Sequence, residues 1–260
     1  MKRENILGYP VAAEPAAACV AEIASWIETG CRRKSFVCLN PHAFEVAATD
    51  PLFRRSLEAA DLITPDGVGI LWASRLLGGG IRQRVTGSDI FHGLSEHFNR
   101  QGGGRYFFLG STEENLERLR QKMHEHYPAI AVVGLYSPPF KDEFDPEDNR
   151  KMVAAINAAG ANLLWVGMTA PKQEKWIESN RQALEVPFIG AIGAVFDFFT
   201  GRVVRSSPFF QALGLEWLPR LLKEPRRLWR RNFVSNPRFL LRVLRHRLRH
   251  GGTATPPSPG

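Results

Sequence analysis

Short apolar runs alternate along this chain with longer stretches whose apolar positions recur at helical spacing. That alternation predicts an α/β layer protein built on a largely parallel sheet. Strands are expected at Phe36 to Leu39, Asp61 to Thr64, Arg105 to Leu109, Ile130 to Leu135, Leu163 to Gly167 and Pro187 to Gly190. Helices are expected at Ala16 to Thr29, Pro41 to Ala48, Gly67 to Leu77, Ser88 to Asn99, Thr112 to Tyr127, Glu147 to Ala159 and Lys172 to Leu184. Pro41 after Asn40 fits the first position of a helix, and Ser111 with Glu114 reads as a capping box; both place a helix start directly after a strand.

Ligands of open α/β sheets sit at the carboxyl ends of the strands, where helix N-termini present free N–H groups. The stretches to inspect are therefore Cys38 to Asn40, Thr64 to Gly69, Gly110 to Thr112, Met168 to Glu174 and Gly190 to Asp197. Beyond about residue 206 the pattern changes to Pro-punctuated helical segments rich in Arg, Leu, Trp and Phe. Residues 251–260 form a Gly/Thr/Pro/Ser tail without core-forming side chains. The organisation read from this is a catalytic domain over 1–205, a basic amphipathic helical appendage over 206–250 and a disordered tail over 251–260.

Charge sharpens that division. The chain carries +8 overall, yet residues 202–250 hold thirteen Lys or Arg against Glu216 and Glu224, a net +11 that leaves −3 for the rest. A local excess of this kind points to one anionic partner surface. In the appendage Leu215, Trp217, Leu218, Leu221 and Trp229 alternate with Arg220, Arg226, Arg227, Arg230 and Arg231. Three readings stand: an anionic membrane surface, a nucleic acid, or docking of the apolar face on the core with the arginines solvated. On the membrane reading, cutting the chain near 207 leaves a more soluble core.

The three cysteines, Cys19, Cys31 and Cys38, lack zinc spacing, and no leader pattern precedes them, so a reduced cytosolic protein is expected. No apolar run approaches the roughly 18 residues of a membrane span, which makes any membrane contact peripheral. There is no Asp-x-Asp, and the acidic run from Asp142 to Asp148 reads as a solvated helix lead-in. The seven histidines show no ligand spacing, so no metal is expected. Neither G-x-G-x-x-G nor a Walker A stretch occurs.

Five stretches carry candidate chemistry, four of them at strand ends. Asp66, in Thr64-Pro65-Asp66-Gly67, stands where a general base meets a ligand, or else caps the next helix. Arg82 and Arg84 beside Thr86-Gly87-Ser88 suit a diphosphate, or form a solvated loop. Gly110-Ser111-Thr112 can seat a phosphate or a ribose. Gln173, in Pro171-Lys172-Gln173-Glu174, can read a base or sugar through paired hydrogen bonds, and Asp197 must pair with a structural Arg or a substrate hydroxyl.

These stretches, in this order, resemble the WecG/TagA/CpsF family of bacterial glycosyltransferases over roughly residues 36 to 240. The likeness rests on Thr64-Pro65-Asp66-Gly67, Arg84-Val85-Thr86-Gly87-Ser88-Asp89, Phe108-Leu109-Gly110-Ser111, Ala170-Pro171-Lys172-Gln173-Glu174, Gly193-Ala194 with Phe196-Asp197-Phe198, and Gly214-Leu215-Glu216-Trp217 through Glu224-Pro225-Arg226-Arg227. The resemblance implies a Rossmann-like sheet with helices on both faces. It implies inverting transfer from a UDP-sugar to an undecaprenyl-diphosphate-linked acceptor, in exopolysaccharide, surface polysaccharide or teichoic acid assembly, without a metal or other cofactor. Asp66, Arg84 and Asn40 fall on its catalytic positions. Cys38, Thr64, Gly110, Ser111, Gln173, Asp197, Arg220, Arg227 and Arg230 fall on positions that bind substrate, the last three stabilising the leaving diphosphate. Cys38 departs from the Thr of the family's Thr-x-Asn strand end. The implied setting is the cytoplasmic face of the inner membrane, on its anionic surface, with no nucleic acid partner and room for a homo-oligomer. A nucleotide-binding regulatory or nucleic-acid-associated module is the second reading.

Overall fold

In the computed structural model, which describes residues 1–203 and 234–250, eight strands form one sheet in the order β1-β2-β4-β3-β8-β7-β5-β6. The strands are β1 (Arg3–Ile6), β2 (Tyr9–Ala12), β3 (Lys34–Leu39), β4 (Leu62–Pro65), β5 (Arg105–Gly110), β6 (Ala131–Tyr136), β7 (Leu163–Gly167) and β8 (Phe188–Ala191). Only the β1–β2 pair is antiparallel. This edge hairpin was not expected from the sequence, and neither were α3 (Pro51–Glu58) and the short α9 (Val195–Phe199). The remaining helices are α1 (Ala16–Glu28), α2 (Pro41–Ala47), α4 (Val68–Leu76), α5 (Gly87–Gln101), α6 (Glu113–His126), α7 (Pro146–Ala158), α8 (Lys172–Asn180) and a C-terminal α10 (Asn236–His250).

The two-residue period of the strands divides the core in two. Val37, Leu39, Ile63, Leu109, Val166 and Ile189 face one helical layer, where they meet buried side chains of α2, α3, α4, α7 and α8. Phe36, Leu62, Tyr106, Phe108, Trp165 and Phe188 face the other, against α1, α5, α6 and α9. Helices thus cover both faces. The strand order also places the crevice: the connection leaving β5 runs to β6 on one side, and the one leaving β7 runs to β8 on the other. The two connections part in opposite directions from the paired carboxyl ends of β5 and β7, and that is where an open α/β sheet binds its ligand.

The expected capping box at Ser111 and Glu114 is not formed. Thr112 is the N-cap of α6 and accepts from the Asn115 N–H, while Ser111 sits one residue earlier in a left-handed conformation (φ 62°). Asn40 does cap α2, with Pro41 at the helix start, and its carboxamide oxygen accepts from Ala43 N at 2.9 Å. The acidic run is a helix lead-in. Asp145 caps α7 in a reciprocal box with Asp148, and Lys141 bridges both carboxylates at 2.8 and 2.6 Å.

Arg220, Arg227 and Arg230 lie outside the described residues, as does most of the expected appendage. Its last part, α10, packs on α2 and α4. Phe239 and Val243 are fully buried, and the Phe239 ring lies 5.1 Å from that of Phe44. Arg242 pairs with Glu45 at 2.9 Å, Arg247 donates to the Leu76 carbonyl, and His42 Nδ1 meets Ser235 Oγ at 3.0 Å. A chain cut near 207 therefore loses part of its core. The expectation of a more soluble truncated protein gives way to that of a destabilised one.

Candidate active site

The site assembles from strand ends brought into register. In the β3–β4 pair Cys38 lies opposite Thr64, whose hydroxyl donates to the Cys38 thiol at 3.6 Å. One step on, Asp66 N donates to Leu39 O at 2.8 Å, which turns the chain so that Gly67 comes beside Asn40. Gly67 holds φ 103°, a conformation open to glycine at little cost, and it is Gly67 rather than Asp66 that is the N-cap of α4. Asp66 thus stands one residue before that cap, half-buried, beside the strand ends that carry Asn40, Thr64 and Cys38. Its carboxylate is felt there: the Cys38 thiol is held well above the ordinary thiol range by desolvation first and by the charge of Asp66 next. Cys38 is therefore a neutral thiol, unsuited to nucleophilic work.

Val85 N donates to Pro65 O at 2.9 Å, so the stretch carrying Arg84 is tied to the end of β4. Arg82 and Gln83 are exposed, whereas Arg84 is half-buried. The next helix start is already occupied. Thr86 and Asp89 form a capping box, with Thr86 N and Oγ1 each 2.8 Å from Asp89 Oδ2. The positive end of α5, equivalent to about half a charge, is thus met by the protein's own carboxylate. Arg84, not the helix end, is the cationic element of this stretch.

Gly110 and Gly167 allow β5 and β7 to close up: a Cβ on Gly110 would stand 2.5 Å from Gly167 O, and one on Gly167 would stand 2.4 Å from the Phe196 ring. Gln173 ties the neighbouring tips together. Its Oε1 accepts from Met168 N at 3.2 Å and Gly193 N at 3.0 Å, and its Nε2 donates to Glu174 Oε1 at 2.8 Å. The amide expected to read a base or sugar spends its oxygen and one proton bracing the tips of β7 and β8. Lys172 of the same motif turns toward the loop before α7, with its ammonium 3.9 Å from the Phe144 ring centroid and donating to the Lys141 carbonyl.

Glu174, which the sequence marks only as the last residue of that motif, has an unusual setting. It is buried, and its Oε2 has no hydrogen-bond partner among the described residues. Desolvation raises its pKa from 4.5 to about 7. The folded protein therefore keeps its proton between pH 4.5 and 7 while the unfolded chain loses it, so stability falls with rising pH across that window, by about 3 kcal/mol. Glu174→Gln removes that penalty. Urea unfolding at pH 5 and pH 8 should show the variant gaining on the wild type by about that amount, and parallel pH profiles would show that Glu174 is ionised throughout.

Asp197, on α9, pairs with two protein groups, an arginine and an amide. Arg202 lies 3.8 Å from its Oδ1, and Asn115 Nδ2 donates to the same oxygen at 3.2 Å. A cavity of about 240 Å³ opens between α5, the end of α6 and α9, lined by Ser88, His92, Tyr127 and Phe199 among others. Among the described residues no three His, Cys, Asp or Glu side chains cluster as a metal site.

An open α/β sheet with Asp66, Gln173 and Arg84 at or beside its strand ends defines a ligand-binding protein of the doubly wound α/β class. Comparison with known proteins narrows this. The model of the glycosyl transferase WecG/TagA/CpsF family matches residues 4–252, from β1 past α10. An N-acetylglucosaminyldiphosphoundecaprenol N-acetyl-beta-D-mannosaminyltransferase of Bacillus spizizenii (strain W23) is 31% identical over 210 residues, 81% of this chain and 78% of the relative. A protein of the same name from Bacillus subtilis (strain 168) is 30% identical over 207 residues, 80% of this chain and 77% of the relative. The chain belongs to the WecG/TagA/CpsF family and is a glycosyltransferase. That decides against a purely regulatory or nucleic-acid-associated module.

Proposed function

We propose that this glycosyltransferase moves a sugar from a UDP-sugar to an undecaprenyl-diphosphate-linked acceptor in the assembly of a cell-surface polysaccharide, with Asp66 as general base. The observation that carries the reading is the placement of Asp66. It is a half-buried carboxylate at the end of β4, flanked by Asn40 and Thr64 and tied through Pro65 to the stretch bearing Arg84. The names of the two relatives, which specify a diphosphoundecaprenol acceptor, supply its class.

In a single displacement the acceptor hydroxyl oxygen attacks the anomeric carbon, the bond from that carbon to the diphosphate oxygen breaks, and Asp66 takes the hydroxyl proton. The charge developing on the departing UDP needs cations, and Arg84 with Arg220, Arg227 and Arg230 would meet it without a metal. Binding at an anionic membrane would bring the lipid acceptor to the site. Among the described residues no helix is long and apolar enough to cross a membrane. The outward side of α10, however, exposes Leu241, Leu244 and Leu248 among Arg238, Arg245 and Arg249, a pairing suited to a headgroup layer.

The test is incubation of the full chain with a panel of UDP-sugars and a synthetic lipid-diphosphate acceptor, read by mass spectrometry. One donor should add one sugar to the acceptor and release UDP. An intact panel, together with salt-sensitive retardation of nucleic acid, would overturn the reading.

A further inference from the structure

Behind the tips of β5 and α9 lies a polar group that neither the sequence motifs nor the mechanism uses. Asn115, in the first turn of α6, is 4% exposed, and its carboxamide joins three elements. Its Nδ2 donates to Ser111 Oγ at 2.8 Å and to Asp197 Oδ1 at 3.2 Å, and its Oδ1 accepts from the Thr200 hydroxyl at 2.7 Å. The orientation is determined by these partners. A flipped amide would set Oδ1 against the Asp197 carboxylate, acceptor to acceptor.

This fixes what the two outer groups present. Ser111 Oγ receives the Asn115 proton, so its own hydroxyl proton is directed elsewhere. The Ser111 backbone is held in its left-handed conformation (φ 62°), with its carbonyl accepting from Ser137 Oγ at 2.8 Å. A non-glycine residue in that region is uncommon and persists where its surroundings over-determine it. Asp197 keeps acceptor capacity on a carboxylate one-third exposed. One hydroxyl donor and one carboxylate acceptor, both within hydrogen-bond reach of a single nitrogen, match a vicinal diol, which offers an acceptor and a donor on adjacent carbons.

We infer that Asn115 is a positioning residue that holds Ser111 and Asp197 as a matched pair for a vicinal diol of the nucleotide-sugar donor. The inference rests on the proposed use of a UDP-sugar and deepens it. The diol comes from the ribose or from the transferred sugar, and the ligands chosen below separate the two.

Asn115→Asp keeps the shape but removes both donated protons and sets a second carboxylate beside Asp197. Thr200→Val removes only the hydroxyl that orients the amide. Titration calorimetry of the full chain with UDP, 2′-deoxy-UDP and UDP-N-acetylglucosamine is combined with steady-state kinetics on the donor that the wild type uses. For Asn115→Asp the donor KM should rise about tenfold or more, the loss of one charge-assisted hydrogen bond, with kcat changed less than about threefold. Thr200→Val should shift it in the same direction by less, and decides the matter if Asn115→Asp does not fold. If UDP affinity falls while 2′-deoxy-UDP binds wild type and variant alike, the diol is the ribose. If only the UDP-sugar is weakened, it is the sugar ring. Folded variants with unchanged KM and affinities, or with kcat lowered at constant KM, overturn the inference. A wild type that binds no uridine nucleotide overturns the UDP-sugar reading itself, and is seen before any variant is made.

Discussion

Asp66→Asn is expected to lower glycosyl transfer by about 10²- to 10⁴-fold while UDP affinity stays within a few-fold of the wild type. The amide keeps the size and the partial burial of the side chain, and the turn that positions it is made by backbone: Asp66 N to Leu39 O, with Gly67 at φ 103°. What is lost is the ability to accept a proton. A second effect should accompany the change. Because the Asp66 charge helps to hold the Cys38 thiol up, its removal should bring the thiol part of the way back toward the ordinary range, leaving burial as the larger cause. Turnover that survives intact would remove Asp66 from the chemistry.

Phe239→Ala is expected to cost about 3–5 kcal/mol and to lower the thermal midpoint by roughly 10 °C. Phe239 is fully buried against Phe44, and α10 has no other anchor of that size on the core, Val243 being smaller. The same contact predicts that a protein ending near residue 207 unfolds at lower temperature than the full chain, since Phe44, His42 and Glu45 of α2 lose their contacts with Phe239, Ser235 and Arg242 together. The helix that those residues belong to begins at Asn40, so the docked α10 also steadies a candidate catalytic residue. Thermal melts of the two forms check this, and coincident midpoints would show that α10 adds nothing to the core.

Much of this architecture was legible because its inner strands are mostly apolar and its longer helices periodic. The parts that were not legible have particular causes. The β1–β2 hairpin turns at Leu7 and Gly8, with φ 51° and 103°, where a leucine stands in place of the Asn or Asp that marks such turns. β1 itself is Arg3-Glu4-Asn5-Ile6, polar because it forms the sheet edge. α3 did carry a signal, Asp50 before Pro51, the same form as Asn40 before Pro41. At eight residues it offers little periodicity to reinforce it. Ser111 looked like a cap because the cap lies one residue on, at Thr112.

The strand-end residues were legible as a set, since motif and strand boundary coincide at each. Their partners were not. Gln173 works through backbone N–H groups of residues 168 and 193, and Asn115 through Ser111, Asp197 and Thr200. The bonds to Gly193, Asp197 and Thr200 join positions far apart in the chain, and nothing in the local pattern of α6 sets Asn115 apart from any other polar residue in a first helical turn.

The most direct measurement is the anomeric configuration of the product. Nuclear magnetic resonance of the glycosylated lipid acceptor, made from an α-linked UDP-sugar, should show the new bond in the β configuration, as a single displacement driven by one base at Asp66 requires. A product with the donor's α configuration, or formation of that product by Asp66→Asn at the wild-type rate, would contradict it.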